Sequence, residues 1–230
     1  MRWFPLPETP QQHLYLWRLL YPIVRAVALF FAPMRTIGLE NVPARGPYII
    51  VANHISWLDP EWIAWAVWKP VKYMAKEEIF EWFFVGGFIR FIGCFPVKRG
   101  TSDRRAFVTA LKVLAGGGVL GFFPEGHRSE SATMIRAHPG IAGIALRSGA
   151  PIIPVGVTGS RGVFGQFWRR SVTLRFGKPF YAKDLGETES QAVADAMMRK
   201  VAELLPESMH GVYAVTPGAG RDRDGATTPP

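Results

Sequence analysis

Apolar residues in this chain fall into two kinds of run. The short runs are rich in β-branched and aromatic residues: Tyr48-Ile49-Ile50-Val51, Val71-Lys72-Tyr73-Met74-Ala75, Cys94-Phe95-Pro96-Val97, Val119-Leu120-Gly121-Phe122-Phe123, Pro151 to Val157 and Val172 to Phe176. Each reads as a strand. The longer runs are helical in character. One is opened by Asp59-Pro60 and puts Trp62, Trp65 and Trp68 on one face. Another spans 76–92 and is broken at Gly86-Gly87. A third covers about 102–115, capped by Thr101-Ser102-Asp103 and stopped by Gly116-Gly117-Gly118, and the last two cover 138–149 and 187–204. Residues 33–47, with Pro33, Gly38, Pro43, Gly46 and Pro47, read as connecting turns. Strands alternating with helices predict an α/β fold: a mostly parallel central sheet flanked by helices, preceded by an N-terminal helical segment.

That N-terminal segment is distinctive. Residues 14–31 are almost wholly apolar, interrupted by Arg18 and Arg25. Seven positions place the two arginines roughly 20° apart around an ideal helix, and Pro22 kinks or splits it. A membrane-spanning helix would hold both charges at a costly depth. A helix lying in the headgroup plane instead sets Arg18 and Arg25 beside lipid phosphates, with Trp17 at the interface. The alternative is a core-packed helix with two solvent-facing arginines. A cleaved signal peptide does not fit the Pro-rich start, the early Glu8 and the late onset of the apolar run.

Charge and composition narrow the partners. The 230 residues carry a formal charge of +9, and 48% of them are hydrophobic. The length suits a single α/β domain with a substantial core, and the charge calls for an anionic partner: nucleic acid, a phospholipid surface or a phosphorylated substrate. Because the basic residues accompany apolar stretches and no recognition helix is evident, a phospholipid membrane is expected and nucleic acid is not. The lone cysteine, Cys94, sits in an apolar run and excludes an intramolecular disulfide. The five histidines lack the spacing of a compact metal site, so no metal is expected.

Three strand ends carry polar clusters: Asn53-His54, Lys98-Arg99 and Glu125-Gly126-His127-Arg128. Ligands of parallel α/β sheets collect at the carboxyl ends of strands. His54 and Asp59 are five positions apart, roughly 140° around an ideal helix, so they meet only if a turn lies between them. Asp59-Pro60 supplies it, with Asp as a cap and Pro in the first turn. A carboxylate accepting from one ring nitrogen fixes the tautomer and leaves the other nitrogen basic, which suits removal of a proton from an attacking alcohol. Arg99 and Arg128 have the guanidinium fork that matches phosphate oxygens, and Gly126 allows close backbone approach.

The segments NHISWLD (53–59), GCFPVKRG (93–100), FPEGHRS (123–129) and APIIPVGV (150–157) resemble, in order and spacing, the four motifs of the glycerolipid acyltransferase family, that of 1-acyl-sn-glycerol-3-phosphate acyltransferase. The resemblance covers about residues 47–160. It implies acyl transfer from a thioester to a hydroxyl of a phosphorylated glycerolipid at a membrane surface. By the same match, His54 is the base and Asp59 its orienting acid. Arg99 resembles the phosphate-binding arginine of the second motif. Glu125, Gly126 and Arg128 match the third motif, which helps bind the acceptor. Pro154 matches the proline of the fourth, and Lys76 a basic residue ahead of the second. Three segments depart from the family pattern: Lys98 where an acidic residue is common, His127 in place of Thr, and Arg136-Ala137-His138-Pro139-Gly140 in place of a Phe-Lys-x-Gly type segment. All bear on the acceptor's head group.

The expectation is an acyltransferase without a cofactor, using acyl-CoA or acyl carrier protein as donor substrate and 1-acyl-glycerol-3-phosphate as acceptor. Residues 1–35 form membrane-docking helices, 36–210 the catalytic domain and 211–230 a flexible tail. The protein is expected on the cytoplasmic face of the cell membrane, peripheral or monotopic. The alternatives are an acyltransferase for another lysolipid or a glycolipid, and a non-catalytic basic membrane-binding protein.

Overall fold

A computed structural model describes residues 22, 23, 25, 26, 29, 30, 33–91, 93–98, 103–162 and 172–214. Among the described residues seven strands form one sheet: β1 (Met34–Ile37), β2 (Tyr48–Ala52), β3 (Val71–Lys76), β4 (Phe95–Val97), β5 (Val119–Phe122), β6 (Ile152–Thr158) and β7 (Val172–Phe176). Their order is β1-β7-β6-β2-β5-β3-β4. β6, β2, β5, β3 and β4 are mutually parallel, so all five deliver their carboxyl ends to one edge. β7 pairs antiparallel with β6, and β1 runs parallel to β7.

Among the described residues, the sheet is covered by α1 (Asp59–Val67), α2 (Phe83–Phe91), α3 (Arg104–Ala115), α4 (Gly140–Ser148) and α5 (Ser190–Ala202). The central strand β2 is buried along its whole length. Its alternate residues feed two separate cores, as the period of two requires. Ile49 and Val51 join Leu120 and Ile152 against α3, α4 and α5. Tyr48, Ile50 and Ala52 join Val71, Tyr73, Val155 and Leu174 against Trp62, Ile63 and Trp65 of α1. A side chain of this kind contributes about 1.5–3 kcal/mol when fully buried, so both faces anchor β2 and whatever follows it. Asp103 caps α3 by accepting from the N–H groups of Arg105 and Ala106.

The structure departs from the sequence reading in three places. Met34–Ile37, read as a turn region, is an edge strand on β7; its exposure alternates along the strand, but Pro33 and Gly38 on either side mask so short a signal. The 76–92 stretch is a 3-10 turn, Glu77–Glu81, followed by α2, and Gly86-Gly87 lies inside that helix without breaking it. Gly86 is there for packing, since a β-carbon would strike the Phe80 carbonyl. Of the three tryptophans expected on one face, Trp62 and Trp65 pack edge to face in the core. Trp68 turns out at the α1 C-cap, where its backbone is left-handed with φ 54°. Among the described residues no helix is long and apolar enough to cross a membrane.

Candidate active site

Where β2 stops pairing, the Asn53 side chain continues its ladder to β6. Its Nδ2 donates to the Val157 carbonyl at 3.0 Å, and the Val157 N–H donates to its Oδ1 at 2.7 Å. An amide side chain reproduces a peptide's donor and acceptor, and that is why Asn serves here. His54 follows at the carboxyl edge. Its Nδ1 lies 3.0 Å from Oδ2 of Asp59, which is wholly buried, while the imidazole side chain keeps 16% of its surface exposed.

The turn between the two residues is made by the carboxylate itself. Oδ2 of Asp59 accepts from the N–H of Ile55 and of Ser56, each at 2.7 Å. Asp59 is therefore the first helical residue, not the cap. It makes no side-chain cap bond to α1; its carboxylate points back along the chain that precedes it. Pro60 falls in the first turn, where its missing N–H costs nothing. The other oxygen, Oδ1, accepts from the Ser160 hydroxyl at 2.5 Å. Ser160 is buried and sits just beyond β6. The carboxylate thus has four donors, counting the imidazole.

The segment after β5 grips His54 on its remaining sides. The His54 N–H donates to Oε1 of Glu125 at 3.0 Å, and its carbonyl accepts from the Ser129 N–H at 2.8 Å. Its ring stacks on Phe123 with centroids 4.2 Å apart, and Phe123 stacks in turn on Tyr73. Gly121 makes that column possible, because any β-carbon there would fall inside the Tyr73 ring. Glu125 itself is buried; its Oε2 faces the Ile135 N–H at 3.4 Å. Its carboxyl braces the backbone beneath His54 and the 130s loop. Burial pushes that carboxyl up to about 8; two backbone N–H groups oppose the shift, and the nearby Asp59 charge reinforces it.

Cationic groups ring this centre with more freedom. Arg128 is exposed, with its guanidinium 4.0 Å over the ring of Trp57. Gly126 turns with φ 72°, and the His138 ring occupies the space a β-carbon would need. At the neighbouring strand ends, Lys76 pairs with Glu78 at 3.1 Å and Lys98 with Glu77 at 3.6 Å, all four half-exposed. Pro154 lies within β6 in register with Val51, behind the site and not at it. Arg25 sets its guanidinium 4.9 Å over the Trp68 ring. Trp17, Arg18 and Arg99 lie outside the described residues, as do residues 215–230. Residues 211–213 form a 3-10 turn whose Tyr213 is buried and accepts from the Ala137 N–H.

Sequence reasoning missed Ser160, Phe123 and Gly121. Ser160 had a usable signal, a Gly-Ser pair one residue past a predicted strand, much the placement that drew attention to Asn53-His54. A second buried carboxylate lies in α1: burial pushes Glu61 up to about 7, and burial, reinforced by the Glu61 charge, pushes the Cys94 thiol up to about 12. A separate cavity of about 450 Å³ is lined by Arg136, Asp195, Arg199, His210 and Tyr213, and shares no residue with the site around His54.

Residues 34–158 match the sequence profile of the Acyltransferase family. A 1-acyl-sn-glycerol-3-phosphate acyltransferase of Bacillus subtilis is 28% identical over 176 residues, covering 74% of this chain and 87% of that protein. One of Streptococcus pneumoniae is 32% identical over 149 residues, covering 64% of this chain and 54% of that protein. The crystal structure of the 1-acyl-sn-glycerophosphate acyltransferase PlsC from Thermotoga maritima superposes with a TM-score of 0.65 at 25% identity, covering 86% of this chain and 84% of that one.

Proposed function

The chain belongs to the Acyltransferase family, and on that premise we propose that it transfers a fatty acyl group from acyl-CoA or acyl carrier protein to the free hydroxyl of 1-acyl-glycerol-3-phosphate, giving phosphatidate. The contact that carries this reading is His54 Nδ1 to Asp59 Oδ2 at 3.0 Å. A buried carboxylate at Nδ1 holds the ring proton there and turns the basic lone pair to Nε2. Nε2 takes the proton of the acceptor hydroxyl as its oxygen attacks the thioester carbonyl. The tetrahedral intermediate then collapses, the C–S bond breaks, and the imidazolium returns the proton to the leaving thiolate. No covalent enzyme intermediate is needed. The acyl group passes directly from sulfur to oxygen.

Arg128 is the described cation best placed to meet the acceptor's phosphate, because it is exposed and its guanidinium plane is already oriented by Trp57. The membrane side of the reading draws on the exposed apolar residues Trp57, Trp68, Trp82, Val85 and Phe30, and on the net charge of +9. Large exposed aromatics beside cations suit a phospholipid interface. On this reading the protein works peripherally or monotopically on the cytoplasmic face of the cell membrane, docked through residues 1–35, with the catalytic domain following from residue 36.

The test uses the full chain on lipid vesicles with lysophosphatidate and each acyl thioester. The wild type forms phosphatidate, and His54→Ala loses about 10²–10⁴ in rate. Near-full activity of His54→Ala removes the mechanism. Product analysis over a panel of lysolipid and glycolipid acceptors decides the acceptor, since Lys98, His127 and the Arg136–Gly140 segment depart from the family's acceptor pattern. Turnover of no thioester at all would favour a basic membrane-binding role.

A further inference from the structure

We infer that Ser160 is a positioning residue of this centre, the outer member of a Ser160–Asp59–His54 relay. It is separated from Asp59 by 101 positions in sequence and comes from a different strand end. Its hydroxyl donates to Asp59 Oδ1 at 2.5 Å, on the oxygen that neither His54 nor the turn uses. Both residues are buried, so bulk solvent does not reach Oδ1 and the hydroxyl is its donor. A hydrogen bond to a charged acceptor in such a setting is shorter and stronger than one between neutral groups.

Ser160 therefore does two things. It orients the carboxylate plane so that Oδ2 meets the imidazole and the Ile55 and Ser56 N–H groups together. It also draws charge toward Oδ1, which tempers the pull of Oδ2 on the imidazole proton. The position is fixed by fold: Asn53 ties β2 to Val157, three residues before Ser160, so the two strand ends cannot drift apart. Gly159, left-handed at φ 77°, turns the chain between β6 and Ser160. Arg161 then donates to the Glu130 carbonyl, joining the β6 loop to the loop after β5.

This rests on the general-base reading of His54, and its test is chosen to be separable from that reading. In Ser160→Ala the downfield proton resonance of the His54 Nδ1–H moves further downfield, because a carboxylate that has lost one donor is a stronger acceptor for the other. The signal is read on the folded protein whatever the acceptor, so failure to acylate lysophosphatidate would not touch it. In turnover with any competent acceptor, kcat falls about tenfold, with KM changed less than about twofold. The acidic limb of the pH–rate profile moves to higher pH, since the more basic dyad holds its proton longer. Ser160→Thr, which keeps the hydroxyl, returns the resonance and the profile toward wild type. If its added methyl is not accommodated, Ser160→Cys, a weaker donor of nearly the same volume, gives an intermediate shift. An unmoved resonance in folded Ser160→Ala, or a rate loss that only follows its melting temperature, overturns the assignment.

Discussion

The carboxyl edge of the sheet has two halves built on different principles. At the ends of β2, β5 and β6, Asn53, Asp59, Glu125 and Ser160 are buried, and each makes short bonds to groups distant in sequence. At the ends of β3 and β4, Lys76 and Lys98 are half-exposed and pair with the acids of the adjoining 3-10 turn. On the proposed mechanism the first half fixes a proton-transfer geometry, which tolerates little misplacement. The second offers positive charge whose value depends on reach and salt, since exposed pairs of this kind are worth roughly 0–1 kcal/mol. The buried polar bonds lie where the core holds the backbone on both faces, and the half-exposed charges lie toward the β4 edge of the sheet.

The sharpest way to break that division is Asp59→Asn. The amide keeps the size but puts an NH2 where one carboxylate oxygen stood, facing donors on that side: the Ile55 and Ser56 N–H pair, or the Ser160 hydroxyl. It also cannot hold the proton at Nδ1. The expected loss in kcat is about 10³-fold or more, by analogy with the loss of the orienting acid in a hydrolase triad. Loss of less than tenfold in a protein that still folds would show that the carboxylate is a scaffold for the turn alone.

A smaller effect is expected from the cations, and it should fall on binding. Arg128→Ala raises the acceptor KM about tenfold and leaves kcat nearly unchanged, because a bidentate group that holds a phosphate binds ground and transition states alike. Lys76→Ala, whose ammonium is already engaged by Glu78, changes it by less than about threefold. Equal effects from the two, or a fall in kcat with Arg128→Ala, would erase the distinction between the halves. Steady-state kinetics at two salt concentrations reads both.

Much of this was legible in the sequence. The strands β2, β5 and β6 announced themselves because a strand buried on both faces is a continuous apolar run, β3 and β7 because their burial alternates along a β-rich sequence, and the His54–Asp59 turn followed from spacing and Pro60. What escaped did so for physical reasons. Met34–Ile37 carries only one turn of alternation, and its pairing with β7 lies 138 positions away in register, from Met34 to Val172. Gly86 and Gly121 look like breaks or weak points, yet each is a place where another residue's atoms occupy the β-carbon's volume. Ser160 and Asp59 become partners only once β6 is laid beside β2, and no local pattern encodes that adjacency. The expectation that Asp59 would cap α1 failed because its carboxylate is taken up by two backbone donors behind it, at Ile55 and Ser56.

The mildest test concerns Glu125, the buried member of the first half whose charge state is set by burial. Its carboxyl is pushed up to about 8 from an ordinary 4.5. Between those values the folded protein keeps a proton that the unfolded chain has released, so this group's stabilising contribution is full below about 4.5 and is lost as pH rises through about 8. Glu125→Gln carries no titrating proton and removes that slope. Near pH 7 the wild-type group is mostly neutral, so the amide resembles it, and activity should change only a few-fold: the His54 N–H still meets an oxygen, while the longer 3.4 Å contact to the Ile135 N–H is lost. Urea midpoints of the two proteins, taken from pH 5 to 9, should therefore converge or cross in favour of the variant as pH rises. Parallel curves would mean that Glu125 is ionised throughout, held as an anion by its two backbone donors, and that the floor beneath His54 is charged; the variant would then lose rate on the scale expected for Asp59.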